Sequence, residues 1–345
     1  MSIQTIRWVN GSVRIIDQTR LPHKFIYISC RNVTTLWRAI RRLSVRGAPA
    51  IGVAAGFGVL LGIREIRTHR RDAFDRRFFK VCEYLASARP TAVNLFYVLD
   101  AMKKIVNDHP HMPVPGIKRL LKAKAFAVYD QDKRVNRRMG GFGARLIRSG
   151  DTIMTICNAG ALATVDYGTA LGVMFSAKKQ GKKFKVYALE SRPLLQGARL
   201  TAWELSREKI DVTLICDNMV ATVMQHKNIR AVFTGADRIA ANGDAANKIG
   251  TQNLAILARS HKIPFYIVAP RSTFDLSIRS GRQIPIEERD RKEVTTFAGQ
   301  QTAPAGVKVF NPAFDVTDHR LISGIITEFG IIRPPYAKNI RNKVK

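Results

Sequence analysis

A cysteine whose neighbours suit catalysis lies near the middle of the chain. Cys157 ends an apolar run of strand length and is followed by Asn158, Ala159 and Gly160, which lead into a segment with helical spacing. Free backbone N–H groups at the start of a helix lower the pKa of a nearby thiol and attract anions. A free cysteine is also commonly a small buried hydrophobic residue. Position alone leaves both interpretations equally open.

An aspartate follows a second apolar run. Asp237 comes shortly after the run at 231–233, and a loop of small residues then leads to Asn247 and Lys248. A carboxylate beside a thiol can form an acid and base pair, and a lysine can supply a charge to a phosphate or sugar oxygen. The structural alternatives are a turn or N-cap role for Asp237 and an N-cap role for Asn247, at the start of a helix predicted from residue 248.

Two N-terminal segments could bind phosphate. Residues 46–52 enter a helix rich in small residues, with Pro49 in its first turn and free N–H groups ahead of it, while Arg89 precedes another helix. Close helix packing is the alternative for the first segment. The sequence has no G-x-G-x-x-G after a strand and no G-x-x-x-x-G-K-[ST]. A small phosphorylated substrate is therefore favoured over a nucleotide.

The elements that carry these residues indicate an α/β protein. From residue 150 onward, strand-length apolar runs alternate with helical stretches, which predicts parallel strands, right-handed crossovers and helices on both faces of the sheet. The strands are predicted at 152–156, 184–189, 212–215, 231–233 and 264–268, and the helices at 161–179, 195–209, 218–226 and 248–262. Because the runs end in polar residues, we expect a ligand site at the carboxyl ends of the strands.

The N-terminal third has a different pattern. Short alternating runs predict strands at 5–8, 13–16 and 25–28, and helices follow at 32–43, 50–66, 94–106 and 117–129. The predicted organisation is a small mixed, helix-rich domain at 1–130, a connecting helix at 131–150 and a mainly parallel α/β domain at 151–345.

Composition excludes several classes of protein. With 345 residues, 46% of them hydrophobic, the chain can bury a sizeable core, so intrinsic disorder is excluded as its main state. No run of about 18 uncharged apolar residues and no signal-peptide pattern occurs, which predicts a cytoplasmic protein without a membrane partner. The four cysteines are scattered, with no C-x-x-C pair and no His at ligand spacing. Reduced thiols and no metal site are expected.

The formal charge of +31 suggests an anionic partner. The basic residues at 64–80 and 118–138 are mixed with apolar residues at helical spacing, which is typical of solvated helix faces. A basic field also concentrates a phosphorylated substrate. Since no RNA- or DNA-binding motif occurs, nucleic acid is not predicted as the main partner.

Taken together, these segments resemble the methylthioribose-1-phosphate isomerase family of the initiation-factor-2B-like superfamily. The motifs that carry the resemblance are residues 45–52, 89–94, 157–164, 191–193, 196–205, 217–219, 234–238, 242–244, 247–251, 284–289 and 311–317. The resemblance implies a smaller N-terminal domain, a Rossmann-like C-terminal domain, a homodimer and no metal or nucleotide cofactor.

The reaction implied by the resemblance is an aldose to ketose isomerisation in methionine salvage. It converts 5-methylthio-α-D-ribose 1-phosphate to 5-methylthio-D-ribulose 1-phosphate. Asp237 would be the general acid that protonates the ring oxygen, with a pKa raised by a dry pocket. Cys157 would stabilise the transition state or move a proton between carbons, by a hydride or an enediol route.

The resemblance also implies a set of substrate-binding residues. The set consists of Arg46, Gly47, Ala48, Arg89, Gln196, Asn247 and Lys248. In one departure from the family, Ile156 stands where many members have a His directly before the cysteine, which makes the surroundings of the thiol more apolar.

Two alternative functions stay open. One is a related sugar-phosphate isomerase acting on ribose 1,5-bisphosphate, which needs a second basic cluster, with Arg192 and Arg271 as candidates. The other is a non-catalytic regulatory subunit of the translation-initiation exchange factor, which shares the fold. The presence of both Cys157 and Asp237 favours an enzyme over the regulatory subunit.

Overall fold

Two units make up the structure, a computed structural model that describes residues 3–89 and 92–344. Unit 1 extends to Arg137 and also includes Gly160–Gly168, whereas unit 2 contains Arg138–Ala159 and the chain from Thr169 onward. The boundary between the two units lies within the long helix Val114–Ala144. The sequence placed the division in a connecting segment at 131–150 and assigned residues 160–168 to the C-terminal domain.

Unit 1 begins with an antiparallel three-stranded sheet and continues as helices. The strands are β1 (Ile6–Val9), β2 (Ser12–Ile16) and β3 (Tyr27–Cys30), in the order β1-β2-β3. The helices are α1 (Val33–Arg41), α2 (Ala48–Glu65), α3 (Arg71–Ala86), α4 (Val93–Asp108) and α5 (Val114–Ala144). Asn10 and Gly11 both have positive φ, as the tight turn between β1 and β2 requires.

Helix α2 forms the centre of unit 1. Every residue from Ala50 to Ile63 is buried, and α2 packs against α1, α3 and α4. Its length and apolar composition would also suit a membrane span. Its burial inside the protein accounts for that composition, because a helix that is apolar on all sides needs neighbours on all sides.

Unit 2 contains a mainly parallel sheet and further strands outside that sheet. Its strands are β4 (Thr152–Thr155), β5 (Lys185–Leu189), β6 (Asp211–Ile215), β7 (Ile229–Thr234), β8 (Arg238–Ala240), β9 (Ala245–Lys248), β10 (Phe265–Val268), β11 (Phe274–Asp275), β12 (Thr296–Phe297), β13 (Gln300–Gln301), β14 (Phe314–Thr317), β15 (Gly324–Thr327) and β16 (Gly330–Ile332). Its helices are α6 (Ala170–Lys179), α7 (Ala202–Arg207), α8 (Val220–His226), α9 (Thr251–Ser260), α10 (Lys292–Thr295) and α11 (Tyr336–Val344).

The seven-stranded sheet has the order β16-β15-β10-β7-β4-β5-β6, and only β16 is antiparallel to its neighbour. From β4 the chain moves outward through β5 and β6, then returns to place β7 on the other side of β4. This order has a topological switch point between β4 and β7, where ligands of open α/β sheets bind. The predicted fold class is confirmed.

Two predicted helices were partly wrong. In the predicted helix at 161–179, α6 starts only at Ala170, and Ala161–Ala163 form a short 3₁₀ turn in unit 1. The carbonyls of Ala161 and Leu162 there accept hydrogen bonds from Thr5 Oγ1 at 2.6 Å and Gln18 Nε2 at 2.7 Å. Tertiary contacts replace helical hydrogen bonds in this segment.

The helix predicted from residue 248 begins later. Residues 238–248 form a hairpin of β8 and β9, which joins a second sheet of order β11-β8-β9-β14. Helix α9 starts at Thr251, and its N-cap is Gly250. Asn247 is therefore not an N-cap, and this alternative was wrong. Strand β9 pairs with β14, which lies about seventy residues further along the chain, so local sequence patterns did not reveal the pairing.

Gly47 is the N-cap of α2 and has a φ of 90°. A Cβ atom placed there would lie 2.4 Å from the Ala163 carbonyl oxygen, so both the backbone angle and the contact favour glycine.

We expect Gly47→Ala to lower the free energy of unfolding by about 2 to 4 kcal/mol, because strain and a backbone clash act together. The matched control is Gly150→Ala: Gly150 has a φ of 92°, but no atom lies within 4 Å of an added Cβ. Strain alone there should cost about 1 kcal/mol. Equal losses in urea unfolding of the two variants would contradict the role of the clash.

A buried carboxyl holds the 160–168 segment in unit 1. Asp132 accepts a hydrogen bond from the Val165 N–H at 2.8 Å. Burial raises the pKa of the Asp132 carboxyl to about 7, although this hydrogen bond favours the anion. The folded state therefore keeps a proton between about pH 4 and pH 7 that the unfolded chain has already lost.

Because the folded pKa lies above the unfolded one, Asp132 makes the protein less stable as the pH rises from 4 to 7. Asp132→Asn removes this titration and keeps an oxygen that can accept the Val165 N–H. The melting temperature of the parent should fall relative to that of the variant between pH 5 and pH 8, as measured by scanning calorimetry. If the melting temperatures of the two proteins change with pH by the same amount across this range, Asp132 does not titrate in this way.

Candidate functional site

The switch point brings the predicted thiol and carboxylate to the same edge of the sheet. Cys157 lies two residues beyond β4, and Asp237 lies three residues beyond β7, its parallel neighbour. The loops that carry them are close, because a Cβ added at Gly235 would lie 3.1 Å from Cβ of Ala159. Both residues thus border the crevice where the strand order reverses.

The backbone of Cys157 is fixed on both sides. Its φ is 62°, in the left-handed region, and the residue is only 8% exposed. Its N–H donates to Ser191 Oγ at 2.7 Å, and its carbonyl accepts from Thr201 Oγ1 at 2.6 Å. Strained backbone of this kind is concentrated at active sites and binding sites.

The residue before the cysteine is apolar and buried. Ile156 is 1% exposed and belongs to the core of unit 2, and its Cδ1 would lie 3.3 Å from a Cβ added at Gly250. Ile156 is therefore a core residue, and the apolar surroundings of the thiol stay a prediction.

Asp237 is half-buried and leads into β8. Its N–H donates to the Ala246 carbonyl at 2.8 Å, which ties the acid to strand β9. No helix starts at this position, so an N-cap role for Asp237 is excluded and its carboxylate is placed by the β8–β9 hairpin.

Asn247 and Lys248 lie in β9, a strand of the second sheet, and Asn247 contacts Thr234, the last residue of β7. Asn247 Nδ2 donates to Thr234 Oγ1 at 2.9 Å and to Thr251 Oγ1 at 3.0 Å. Lys248 Nζ donates to the Ala313 carbonyl at 2.6 Å and lies 4.8 Å from the centre of the Phe314 ring. Both side chains are buried and have a structural role in the hairpin.

Gln196 contains a buried polar atom that needs explanation. The residue follows β5 and is 6% exposed, and within the described ranges no donor reaches its Oε1. A buried acceptor without a partner costs free energy, and such atoms are rare in native proteins. An acceptor at the edge of the sheet is suited to a ligand donor.

The other predicted binding residues belong to unit 1. Gly47 caps α2, Ala48 is its first residue and Arg46 precedes them. Arg89 follows α3 and is half-buried. Pro90 and Thr91 of the same motif lie outside the described residues.

Arg192 and Arg271 each contact another part of unit 2. Arg192 Nη2 donates to the Val294 carbonyl at 3.2 Å, and its guanidinium lies 5.4 Å from the centre of the Phe297 ring. Arg271 is anchored through its backbone N–H to the Glu328 carboxylate. The role of these two residues as candidates for a second phosphate site stays a prediction.

A possible metal-ligand cluster lies elsewhere in unit 2. Asp244, Asp318 and His319 each offer a ligand atom within 4.8 Å of the others. Asp244 already accepts hydrogen bonds from the backbone of Gly281 and His319, and Asp318 pairs with Arg320 at 2.6 Å. These contacts give the cluster a structural role.

Sequence reasoning missed the groups that hold the cysteine. Ser191, Thr201 and Glu204 fall within the quoted motifs at 191–193 and 196–205, but no role was predicted for them. Asn158 Nδ2 donates to Glu204 Oε1 at 2.8 Å and to Thr201 Oγ1 at 3.2 Å. Glu204 is fully buried and such a residue needs a specific donor, but its burial is visible only in the structure.

The fold is that of a Rossmann-like α/β protein, and it places a thiol and a carboxylate just beyond the two strands at the switch point of the parallel sheet. The chain belongs to the Initiation factor 2 subunit family, whose sequence pattern matches residues 44–334. The predicted resemblance is confirmed at the level of this family.

Similar proteins include enzymes that match nearly the whole chain. The chain is 52% identical over 343 residues to the Methylthioribose-1-phosphate isomerase of Fervidobacterium nodosum, covering 99% of this chain and 97% of that protein. It is 52% identical over 338 residues to the 5-deoxyribose 1-phosphate isomerase of Moorella thermoacetica, covering 98% and 96%. The crystal structure of the 5-methylthioribose 1-phosphate isomerase of Pyrococcus horikoshii superposes with a TM-score of 0.91 at 46% identity, covering 98% of this chain and 95% of that one.

Gln196→Met should test whether the buried amide is retained for a ligand. Since Oε1 has no partner in the described structure, replacing the amide by an apolar group of similar size should keep the unfolding free energy unchanged or raise it by about 1 kcal/mol. The control is Gln18→Met, which removes the hydrogen bond to the Leu162 carbonyl and should cost about 1 to 3 kcal/mol. Similar losses in urea unfolding would mean that Gln196 is an ordinary structural amide.

Proposed function

We propose that this chain is an aldose–ketose isomerase that converts 5-methylthio-α-D-ribose 1-phosphate to 5-methylthio-D-ribulose 1-phosphate in methionine salvage. The observation that carries the proposal is the location of Cys157 and Asp237 just beyond the ends of β4 and β7, the two strands that flank the switch point. Full-length similarity to isomerases of sugar 1-phosphates supports the substrate class.

The chemical problem is ring opening. The phosphate on the anomeric oxygen blocks the simple opening that gives most aldoses a free aldehyde. A general acid at the ring oxygen solves this problem, because it turns that oxygen into a better leaving group. We assign this role to Asp237, which would have to be protonated when the substrate binds.

The second requirement is the transfer of hydrogen between C2 and C1. We assign Cys157 to this step, either as the group that moves a proton or as a group that stabilises the transition state. We expect the apolar residue Ile156, directly before the cysteine, to limit the access of water to the thiol, so that charges that develop in the reaction are less screened.

Substrate recognition would use neutral acceptors as well as charges. The two donors of the Asn247 amide are taken by Thr234 and Thr251, so what the amide can still offer is an acceptor. Gln196 Oε1 is also an acceptor, and sugar hydroxyls are the matching donors. The resemblance assigns five further residues to the substrate. Lys248 is one of them, and the phosphate would be bound by Arg46, Gly47, Ala48 and Arg89.

We also propose a location, an oligomeric state and a cofactor requirement for the enzyme. A cytoplasmic homodimer that works without a metal or a nucleotide cofactor agrees with the sequence, and the phosphorylated substrate agrees with the charge of +31.

A direct assay would test the reaction. Purified protein should convert 5-methylthioribose 1-phosphate to the ketose, followed by NMR, while Cys157→Ser and Asp237→Asn should each lower kcat by at least about a thousandfold with the fold intact. Near-normal turnover in either variant would remove that residue from catalysis.

Two further substrates define the specificity. 5-Deoxyribose 1-phosphate lacks the sulfur, and a relative at 52% identity bears its name. Ribose 1,5-bisphosphate tests the alternative that needs a second phosphate site. Turnover of 5-deoxyribose 1-phosphate alone would assign a different substrate to the same site, and turnover of none of the three would refute the isomerase proposal.

A further inference from the structure

We infer that Thr201 and Ser191 are positioning residues that hold Cys157 in its reactive conformation by binding the peptide groups on its two sides. This inference rests on the proposed function for its catalytic consequence. Its geometric part depends only on the contacts of unit 2.

The conformation of Cys157 requires support from outside. A residue with a Cβ atom is strained at a φ of 62°, because the Cβ atom approaches the following carbonyl oxygen. Such strain persists only where the surroundings fix it. Here the two hydroxyls fix the N–H and the carbonyl of the strained residue directly.

Ser191 is itself held by the next strand. Its N–H donates to Asp217 Oδ1 at 2.8 Å, and the Arg192 N–H donates to Asp217 Oδ2 at 2.7 Å. Ser191 follows β5 and Asp217 follows β6, so a chain of hydrogen bonds runs along the edge of the sheet from β6 through β5 to Cys157. Asp217 therefore acts as an anchor for Ser191.

Thr201 is held by an unusual helical turn. Gly197–Thr201 form a π-helical turn, a rare geometry that often marks functional sites. The turn is packed against β5 so closely that a Cβ at Gly197 would lie 1.6 Å from the Leu189 carbonyl oxygen. Thr201 is fully buried.

The Thr201 hydroxyl makes two contacts at once. It donates to the Cys157 carbonyl and accepts from Asn158 Nδ2, whose other contact is the Glu204 carboxylate. It thus holds both Cys157 and the next residue. Since one contact is to the Cys157 carbonyl and the other to the Asn158 side chain, neither of them is to the thiol, and the hydroxyl acts by directing it.

The decisive experiment compares three threonine variants. Thr201→Val removes the hydroxyl and keeps the shape, Thr201→Ser keeps the hydroxyl, and Thr273→Val removes a buried hydroxyl whose Oγ1 has no hydrogen-bond partner in the described part of the chain. Each protein is assayed for kcat and KM. Alkylation of Cys157 by iodoacetamide is measured against pH, with the Cys157 peptide quantified by mass spectrometry.

Thr201→Val should lower kcat by about tenfold or more with little change in KM. A thiol that points in the wrong direction slows the chemical step more than it weakens substrate binding. It should also change the rate or the pH midpoint of Cys157 alkylation. Thr201→Ser and Thr273→Val should match the parent within about twofold in both assays. If Thr201→Val behaves like the parent, or if Thr273→Val loses as much activity, the inference is wrong.

Ser191→Ala provides an independent arm if Thr201→Val does not fold. It removes the acceptor for the Cys157 N–H and should change alkylation in the same way, whereas unchanged alkylation would overturn the inference for this residue. The two proposals can fail separately. A changed alkylation profile in a chain that turns over no sugar phosphate would keep the positioning inference and refute the isomerase.

Discussion

The order of the strands around β4 is the constraint on which the site of unit 2 depends. The chain continues from β4 to β5 on one side and from β7 towards β10 on the other, so the connections after these two neighbouring strands leave in opposite directions. The carboxyl ends of β4 and β7 therefore border a crevice that no crossover covers. Residues placed just after these two strands border this crevice, and the chain places Cys157 after β4 and Asp237 after β7.

Most buried polar groups around this crevice stabilise protein geometry. The hydroxyls of Ser191 and Thr201 hold the peptide groups of Cys157, while those of Thr234 and Thr251 hold the amide of Asn247. Hydroxyls suit this task, since each donates and accepts through one atom. Fixing the backbone before a ligand arrives reduces the reorganisation that the reaction would otherwise need.

Local patterns predicted the strand ends well because they depend on few residues. Cys157 and Asp237 follow apolar runs that could only be strands, and the rule for parallel sheets then placed both at one edge. The same patterns failed for residues 161–168. All but one of these residues are buried, so no polar face distinguishes a helix from a packed irregular segment.

The role of Asn247 was missed for a different reason. Its strand contains alanines, which favour helices, and strand pairing with β14 overrides that preference through contacts distant in sequence. The hydrogen bonds that hold Cys157 could not be predicted either. At residue 47 a glycine indicates that a positive φ is possible, whereas a cysteine gives no such indication in the sequence.

The distribution of hydrogen-bond capacity argues for a neutral, hydroxyl-rich ligand in unit 2. Both donors of the Asn247 amide and one N–H of the Lys248 ammonium contact protein oxygens, whereas Gln196 keeps a buried acceptor. A site built for an anion would present donors in their place. The sugar ring of a sugar phosphate supplies hydroxyl donors that match such acceptors. On this reasoning the edge of unit 2 is suited to the sugar, and recognition of the phosphate must rely on other donors of the chain.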